Sequence, residues 1–147
     1  MQELKDWERG KIVNRLRAQQ QIDFSSIRIP GTRITPTNVD GLMDYHDIAW
    51  IGIEVKYSSE PVQPGQRIAF ERLVQDLKHG GEKEKPVLFI IADHSVTEVT
   101  EDVDAGRAIV RAFTMTGTKW RYPAEEGWSV SVKDLVDDFL DILMGDD

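Results

Sequence analysis

The sequence predicts a mixed α/β (α+β) domain in which helices flank one central mixed sheet. Three observations lead to this fold class. Helical periodicity opens the chain, strand-like runs stand on both sides of an amphipathic helix near the middle, and a further strand and helix close the chain. Of the 147 residues, 40% are hydrophobic, which is enough for one core in a single domain over residues 1–147.

The first predicted element is a helix over residues 2–20. Its apolar side chains recur at multiples of four residues, namely at Leu4, Ile12 and Leu16. Residues 22–34 then become β-like in composition. Within residues 30–38, proline, glycine and small polar residues predict a loop or turn.

Two strand-like runs follow, residues 39–45 and 50–57, and the His46-Asp47 turn between them predicts a hairpin. Helical spacing begins soon after this hairpin. The residues that share one face of the predicted helix are Gln66, Ala69, Phe70, Leu73, Val74 and Leu77. Gly80-Gly81 predicts the end of this helix, where a left-handed residue is usually needed.

The remaining elements are a strand, a loop, another strand and a last helix. Residues 86–92 form a continuous apolar run, which predicts a strand buried on both faces. An acidic loop over residues 93–106 leads to the C-terminal part, residues 107–144. This part predicts a strand over residues 108–115 and an amphipathic helix over residues 132–144, with Ser131 as its N-cap.

Composition excludes several classes of protein. The absence of cysteine excludes disulfides, thiolate zinc sites and a cysteine nucleophile. No stretch approaches the roughly 18 apolar residues of a membrane span, and the charged start does not resemble a signal peptide. We therefore expect no membrane partner and a cytoplasmic protein of a bacterium or of a virus in its host.

The net charge of −8, from 18 basic and 26 acidic side chains, is unevenly distributed. Residues 1–35 hold seven basic and four acidic side chains, residues 36–92 hold six and nine, and residues 93–147 hold five and thirteen. The acidic total therefore does not exclude nucleic acid as a partner, because basic side chains, which are the type that binds phosphate, are in excess near the start.

Two charged residues stand out in the strand over residues 50–57. Glu54 and Lys56 alternate with Ile51, Ile53 and Val55, so the period of two places both charges on one face. A solvated sheet face or a simple ion pair explains such a pair when it occurs alone.

Asp40, in the neighbouring predicted strand, changes that interpretation. Carboxylates on adjacent strands can converge on one hard divalent cation, which prefers oxygen ligands. A lysine beside them can orient a water molecule, while the cation offsets the charge that develops on a phosphodiester. The set of Asp40, Glu54 and Lys56 therefore suits phosphodiester hydrolysis.

Asp40, the Glu54-Val55-Lys56 tripeptide and the helix that Gln66 opens resemble the PD-(D/E)XK nuclease superfamily. The resemblance covers roughly residues 3–92 and is strongest to small archaeal-type Holliday-junction resolvases and VRR-Nuc-like nucleases. It implies a restriction-endonuclease-like core in which Asp40, Glu54 and the carbonyl of Val55 bind Mg²⁺ or Mn²⁺ and Lys56 assists the attacking water. It further implies a homodimeric DNA endonuclease selective for branched DNA.

The same family often adds a glutamine from the helix after the strand and a glutamate from the first helix. Gln66 matches the first, and Glu8 matches the second because it lies on the row of Leu4 and Ile12, although Glu3 is an alternative. Val39 replaces the family proline. Asp44 and Asp47 are alternatives to Asp40 as the first metal ligand.

Four basic residues are candidates for contact with DNA phosphates: Lys11, Arg15, Arg28 and Arg33. Solvated surface charges are an equally good explanation of these residues. Two other functions are consistent with the sequence. One is a nuclease that acts on flaps, ends or nicks, and the other is a non-catalytic DNA-binding accessory protein with the nuclease fold.

Overall fold

The computed structural model describes residues 24, 26, 27, 29–33 and 36–145, and the chain divides into two compact units, Met1–Pro36 and Thr37–Asp147. The predicted helix over residues 2–20 lies outside the described residues. In the first unit, the N–H of Thr32 donates to the carbonyl of Ile29 at 3.1 Å and Gly31 has a φ of 78°, which confirms the turn. The described residues among 22–34 form no strand. A single domain over residues 1–147 stays a prediction.

The second unit contains a four-stranded mixed sheet and two helices. In chain order the elements are β1 (Gly41–Tyr45), β2 (Ala49–Tyr57), α1 (Pro64–His79), β3 (Val87–His94), a 3₁₀ turn (Ala105–Arg107), β4 (Ile109–Thr114) and α2 (Val132–Leu143). The strands lie in the order β1-β2-β3-β4. The β2–β3 pair is parallel and the two outer pairs are antiparallel. The predicted α+β class with a mixed sheet is therefore confirmed.

The predicted hairpin is present as β1 and β2. His46 and Asp47 both have positive φ, 49° and 63°, and the N–H of Ile48 donates to the carbonyl of Tyr45 at 2.7 Å, which closes a tight turn. The register pairs Gly41 with Ile53 and Asp44 with Trp50. This register decides which of the acidic residues of the hairpin lies opposite Glu54.

Each face of the sheet is covered by one helix. On one face, Phe70 and Val74 of α1 pack against a row of β3 side chains, and the rings of Phe70 and Phe89 stack at 4.5 Å between centroids. On the other face, Val132 and Phe139 pack against the alternate row. The first six residues of β3 are buried, which confirms the prediction of a strand buried on both faces.

The ends of the elements agree with the sequence in part. The hydroxyl of Ser131 accepts from the N–H of Asp134 at 3.1 Å, which confirms the predicted N-cap. The left-handed residue predicted at the end of α1 is wrong, because Gly80 has a right-handed φ of −79° and its N–H donates to the carbonyl of Asp76 at 2.8 Å. A Cβ at Gly80 would lie 2.5 Å from that carbonyl oxygen, so the glycine permits a close approach instead.

The strand β3 extends two residues into the predicted acidic loop. Its parallel pairing with β2 continues through Lys56 with Asp93 and Tyr57 with His94. In the part of the chain that the structure describes, no helix is long and apolar enough to cross a membrane.

Candidate functional site

Asp40 lies directly before β1 and is fixed to the backbone of β2. Continuing the β1–β2 register by one residue places Asp40 opposite Glu54. Its Oδ2 accepts from the N–H of Val55 at 2.8 Å. The carboxylate therefore replaces the backbone carbonyl that would accept the next hydrogen bond between the two strands.

Glu54 and Lys56 lie on the face of β2 that α1 covers. The amide of Gln66, in the first turn of α1, reaches both of them: its Nε2 donates to Glu54 Oε2 at 2.9 Å and its Oε1 accepts from Lys56 Nζ at 3.0 Å. Lys56 Nζ also lies 3.1 Å from Glu54 Oε2. Glu54 and Lys56 therefore form an ion pair. The face of β2 that carries them is not solvated, because only 4% of Glu54 and 17% of the Lys56 side chain are exposed.

The second oxygen of Glu54 has no such contacts. Glu54 Oε1 is buried and has no hydrogen-bond partner among the described residues. A buried carboxylate oxygen without a partner is costly, and in native structures it usually marks an ion, a water molecule or a functional role.

Two effects disfavour the charged form of Glu54. Burial raises the pKa of Glu54 above its ordinary value of 4.5, and the neighbouring Asp40 carboxylate raises it further, while Lys56 opposes both. Asp40, Glu54 and Lys56 form a cluster of two carboxylates and one ammonium, which has an excess of negative charge. A bound divalent cation or a proton would relieve this excess.

The donor set fits a magnesium-like ion. Mg²⁺ is usually bound through one or two carboxylates and keeps several waters, and Asp40 and Glu54 supply two carboxylates. The carbonyl of Val55 is a third candidate, since the N–H and C=O of one strand residue point to the same side and this N–H faces Asp40. Within the described residues, no group of three or more histidine, aspartate or glutamate side chains could hold a metal ion.

The structure separates the two alternatives to Asp40 from the cluster. Asp44 Oδ1 accepts from the N–H of Asp47 at 3.0 Å within the hairpin turn. The Asp47 carboxylate forms an ion pair with Lys85. Among the acidic residues of the hairpin region, Asp40 is the one that the structure brings beside Glu54.

The structure does not test the other predicted site residues. Glu8, its alternative Glu3, and the basic residues Lys11, Arg15 and Arg28 lie outside the described residues. Arg33 is described and exposed, and it belongs to the first unit. Their roles stay predictions.

Asp93 and Arg111 adjoin the cluster and were not predicted. Asp93 pairs in register with Lys56, and Arg111 Nε donates to Asp93 Oδ2 at 3.0 Å. The signal in the sequence is an arginine inside the otherwise apolar run of β4. Which acidic residue it meets depends on the pairing of β3 with β4, and the sequence does not give that pairing.

Comparisons of the chain with protein-family models, with curated proteins and with solved structures return no match.

Proposed function

We propose that this chain is a metal-dependent DNA endonuclease of the PD-(D/E)XK type, with a restriction-endonuclease-like core, that hydrolyses phosphodiester bonds. The observation that supports this most is the buried Glu54 carboxylate, which lies beside Asp40 and Lys56 and has one oxygen without a hydrogen-bond partner in the described part of the chain. A hydrophobic core gains nothing from this arrangement, because desolvating charged groups costs stability.

Asp40, Glu54 and the carbonyl of Val55 are the groups that would hold Mg²⁺ or Mn²⁺. When bound, such an ion supplies charge stabilisation for the phosphodiester and lowers the pKa of water. The protein contributes the fixed positions of the two carboxylates. Asp40 is held by the N–H of Val55, and Glu54 is held through Oε2 by Gln66 and Lys56.

Lys56 is the residue that we assign to the attacking water and to the charge that develops on the phosphate. Its ammonium is mostly shielded from solvent, where a positive charge acts more strongly than in water. Gln66 fixes the direction of this ammonium, because one amide accepts from Lys56 and donates to Glu54. Gln66 is therefore a positioning residue in this proposal.

The DNA contact is assigned to the first unit. Residues 37–147 hold 11 basic and 22 acidic side chains, whereas residues 1–36 hold seven and four. Neutralising phosphates requires lysine and arginine, so we assign the contact to Lys11, Arg15, Arg28 and Arg33. Branched DNA is the proposed substrate and a homodimer the proposed assembly, since an isologous dimer matches the two cleavage points of a four-way junction.

Cleavage assays test the proposal. The purified protein with Mg²⁺ or Mn²⁺ should cut a four-way junction more efficiently than flaps, nicked duplex or single strands, and EDTA should stop cleavage. Asp40→Asn and Glu54→Gln should each lower the rate by about 100-fold or more while circular dichroism shows an intact fold. Asp44→Asn is the matched control and should cut at the wild-type rate.

Two results would contradict the proposal. Cleavage by Asp40→Asn and Glu54→Gln at the wild-type rate would show that the site is misassigned. Junction binding without cleavage in either metal would favour the non-catalytic accessory protein. A preference for flaps, ends or nicks would keep the nuclease activity and change only the proposed substrate.

A further inference from the structure

Arg111 lies at an interruption of the sheet ladder. The consecutive β3 residues Ile91 and Ala92 pair with Ala112 and Val110, so Arg111 has no partner on β3. Such a bulge changes the direction of a side chain, and bulges are frequent beside functional sites. Here the bulge coincides with the only arginine in the apolar strand β4.

The side chain of Arg111 holds the carboxylate of Asp93 through both oxygens. Arg111 Nε donates to Oδ2 at 3.0 Å, and Nη2 donates to Oδ1. The two-pronged geometry is the strong form of an arginine–carboxylate contact. It is partly shielded, with 24% of the Arg111 side chain and 30% of the Asp93 side chain exposed.

Asp93 is the neighbour of Lys56 in the parallel β2–β3 ladder. Asp93 continues the row of β3 side chains that packs against α1, and Lys56 contacts Gln66 of α1, so both charges lie on one face. Nevertheless the ammonium of Lys56 contacts Glu54 and Gln66, while the Asp93 carboxylate is taken up by Arg111.

We propose that Arg111 is a positioning residue for Lys56. By occupying both oxygens of Asp93, it prevents this carboxylate from drawing the Lys56 ammonium away from Glu54 and Gln66. The consequence for turnover rests on the proposed nuclease function. The direction of Lys56, in contrast, is a property of the protein alone and is measurable without any activity.

A different role for Arg111 is a purely structural link. Its Nη2 also lies 3.4 Å from the carbonyl of Ser58, so it joins β3, β4 and the segment after β2. Loss of such a link would lower stability and would leave Lys56 in place. The two roles therefore give different results in variants that remove Arg111 with and without the charge of Asp93.

Crystal structures of Arg111→Met, Asp93→Asn and the Arg111→Met/Asp93→Asn double variant test the positioning role directly. We expect Lys56 Nζ within hydrogen-bond distance of Asp93 in Arg111→Met, and back on Glu54 and Gln66 in the other two. Lys56 unmoved in Arg111→Met would overturn the proposal. If Arg111→Met does not fold, Arg111→Lys replaces it, and Lys56 then divides its contacts between Asp93 and Glu54.

Arg121 is the matched control. It makes the same two-pronged contact with Glu126, through Nε at 3.2 Å and Nη2 at 2.6 Å. Arg121→Met thus removes an ion pair of similar geometry, which is more exposed and lies beside Phe113 of β4. We expect Lys56 to keep its contacts in this variant, and a shift of Lys56 equal to that in Arg111→Met would contradict a specific role.

Kinetics extend the test to catalysis. On the DNA that the wild-type protein cuts, Arg111→Met should lower kcat by about 100-fold with KM unchanged, since small displacements of a catalytic group cost this much. The Arg111→Met/Asp93→Asn double variant should recover most of kcat. A double variant as slow as Arg111→Met would show that Arg111 acts on the substrate itself. If the wild-type protein cuts no DNA, the nuclease proposal fails, and the crystal structures still decide the direction of Lys56.

Discussion

The Glu54 carboxylate combines burial, a neighbouring negative charge and an oxygen without a partner in the described part of the chain. Lys56 and Gln66 satisfy its other oxygen, so the free-energy cost of burying this carboxylate is concentrated on Oε1. Such an atom is more informative than the Glu-x-Lys pattern itself, because short patterns occur often by chance and buried unsatisfied oxygens are infrequent.

In the metal-free protein, the cost of burying the charged form of Glu54 should make the free energy of unfolding depend on pH. Because the folded state raises the pKa of Glu54 above 4.5, the folded chain retains its proton after the unfolded chain has released it. The free energy of unfolding should therefore fall as pH rises from 4.5 through the raised pKa.

Urea unfolding of the wild-type protein and Glu54→Gln in EDTA, at a series of pH values, measures this effect. The difference between the two proteins isolates Glu54, since the glutamine side chain of the variant does not titrate in that range. The wild-type protein should lose stability relative to Glu54→Gln with rising pH. A relative gain would show that Glu54 is stabilised as an anion in the absence of metal.

At the scale of elements, the fit of β2 against β3 depends on Gly52. A Cβ at Gly52 would lie 2.4 Å from the ring of Phe89, which itself stacks on Phe70 of α1. The glycine thus lets the ring lie close to β2 under the helix that carries Gln66.

Gly52→Ala should lower the free energy of unfolding by about 1–3 kcal/mol, the usual cost of overpacking a core. Gly65→Ala is the control, because nothing lies within 4 Å of a Cβ there and the position is in α1. It should be neutral or stabilise by up to about 1 kcal/mol. Equal destabilisation of both variants in urea titrations would contradict the packing argument.

Local signals predicted most of the elements. The helical row through Phe70 and Val74, the apolar run of β3 and the Ser131 cap each depend on residues close together in sequence, and each is confirmed. Details of the backbone geometry were harder to predict. The bulge at Arg111 and the close approach at Gly80 depend on backbone geometry that no local pattern specifies.

The candidate site was predictable to a similar extent. The period of β2 correctly placed Glu54 and Lys56 on one face, and helical spacing correctly placed Gln66 on the face of α1 that meets them. The sequence favoured Asp40 over Asp44 but did not decide between them. The choice depends on the hairpin register, which pairs Asp44 with Trp50.

At the scale of the whole chain, charge separates the two units. The unit that contains the acidic cluster has a net charge of −11, from 11 basic and 22 acidic side chains, and the first unit has +3, from seven and four. We therefore expect the proposed electrostatic binding to DNA to come mainly from the first unit.

Salt-dependent DNA binding in EDTA tests this assignment. Neutralising four basic residues of the first unit should reduce the steepness of the slope of log K against log salt concentration by up to about 3.6, since each lost phosphate contact accounts for about 0.9 of that slope. The substitutions are Lys11→Gln, Arg15→Gln, Arg28→Gln and Arg33→Gln. The control, with Lys78, Lys83, Lys119 and Lys133 changed to Gln, should keep the wild-type slope. An equal change in both variants would contradict the assignment.

We propose that Asp40 and Glu54 hold one divalent cation, and anomalous diffraction from crystals soaked in Mn²⁺ tests this claim. We expect an anomalous peak about 2 Å from a carboxylate oxygen of each residue, with Glu54 Oε1 as one ligand, and its loss in Glu54→Gln. A well-occupied Mn²⁺ peak elsewhere, with none between Asp40 and Glu54, would contradict the claim.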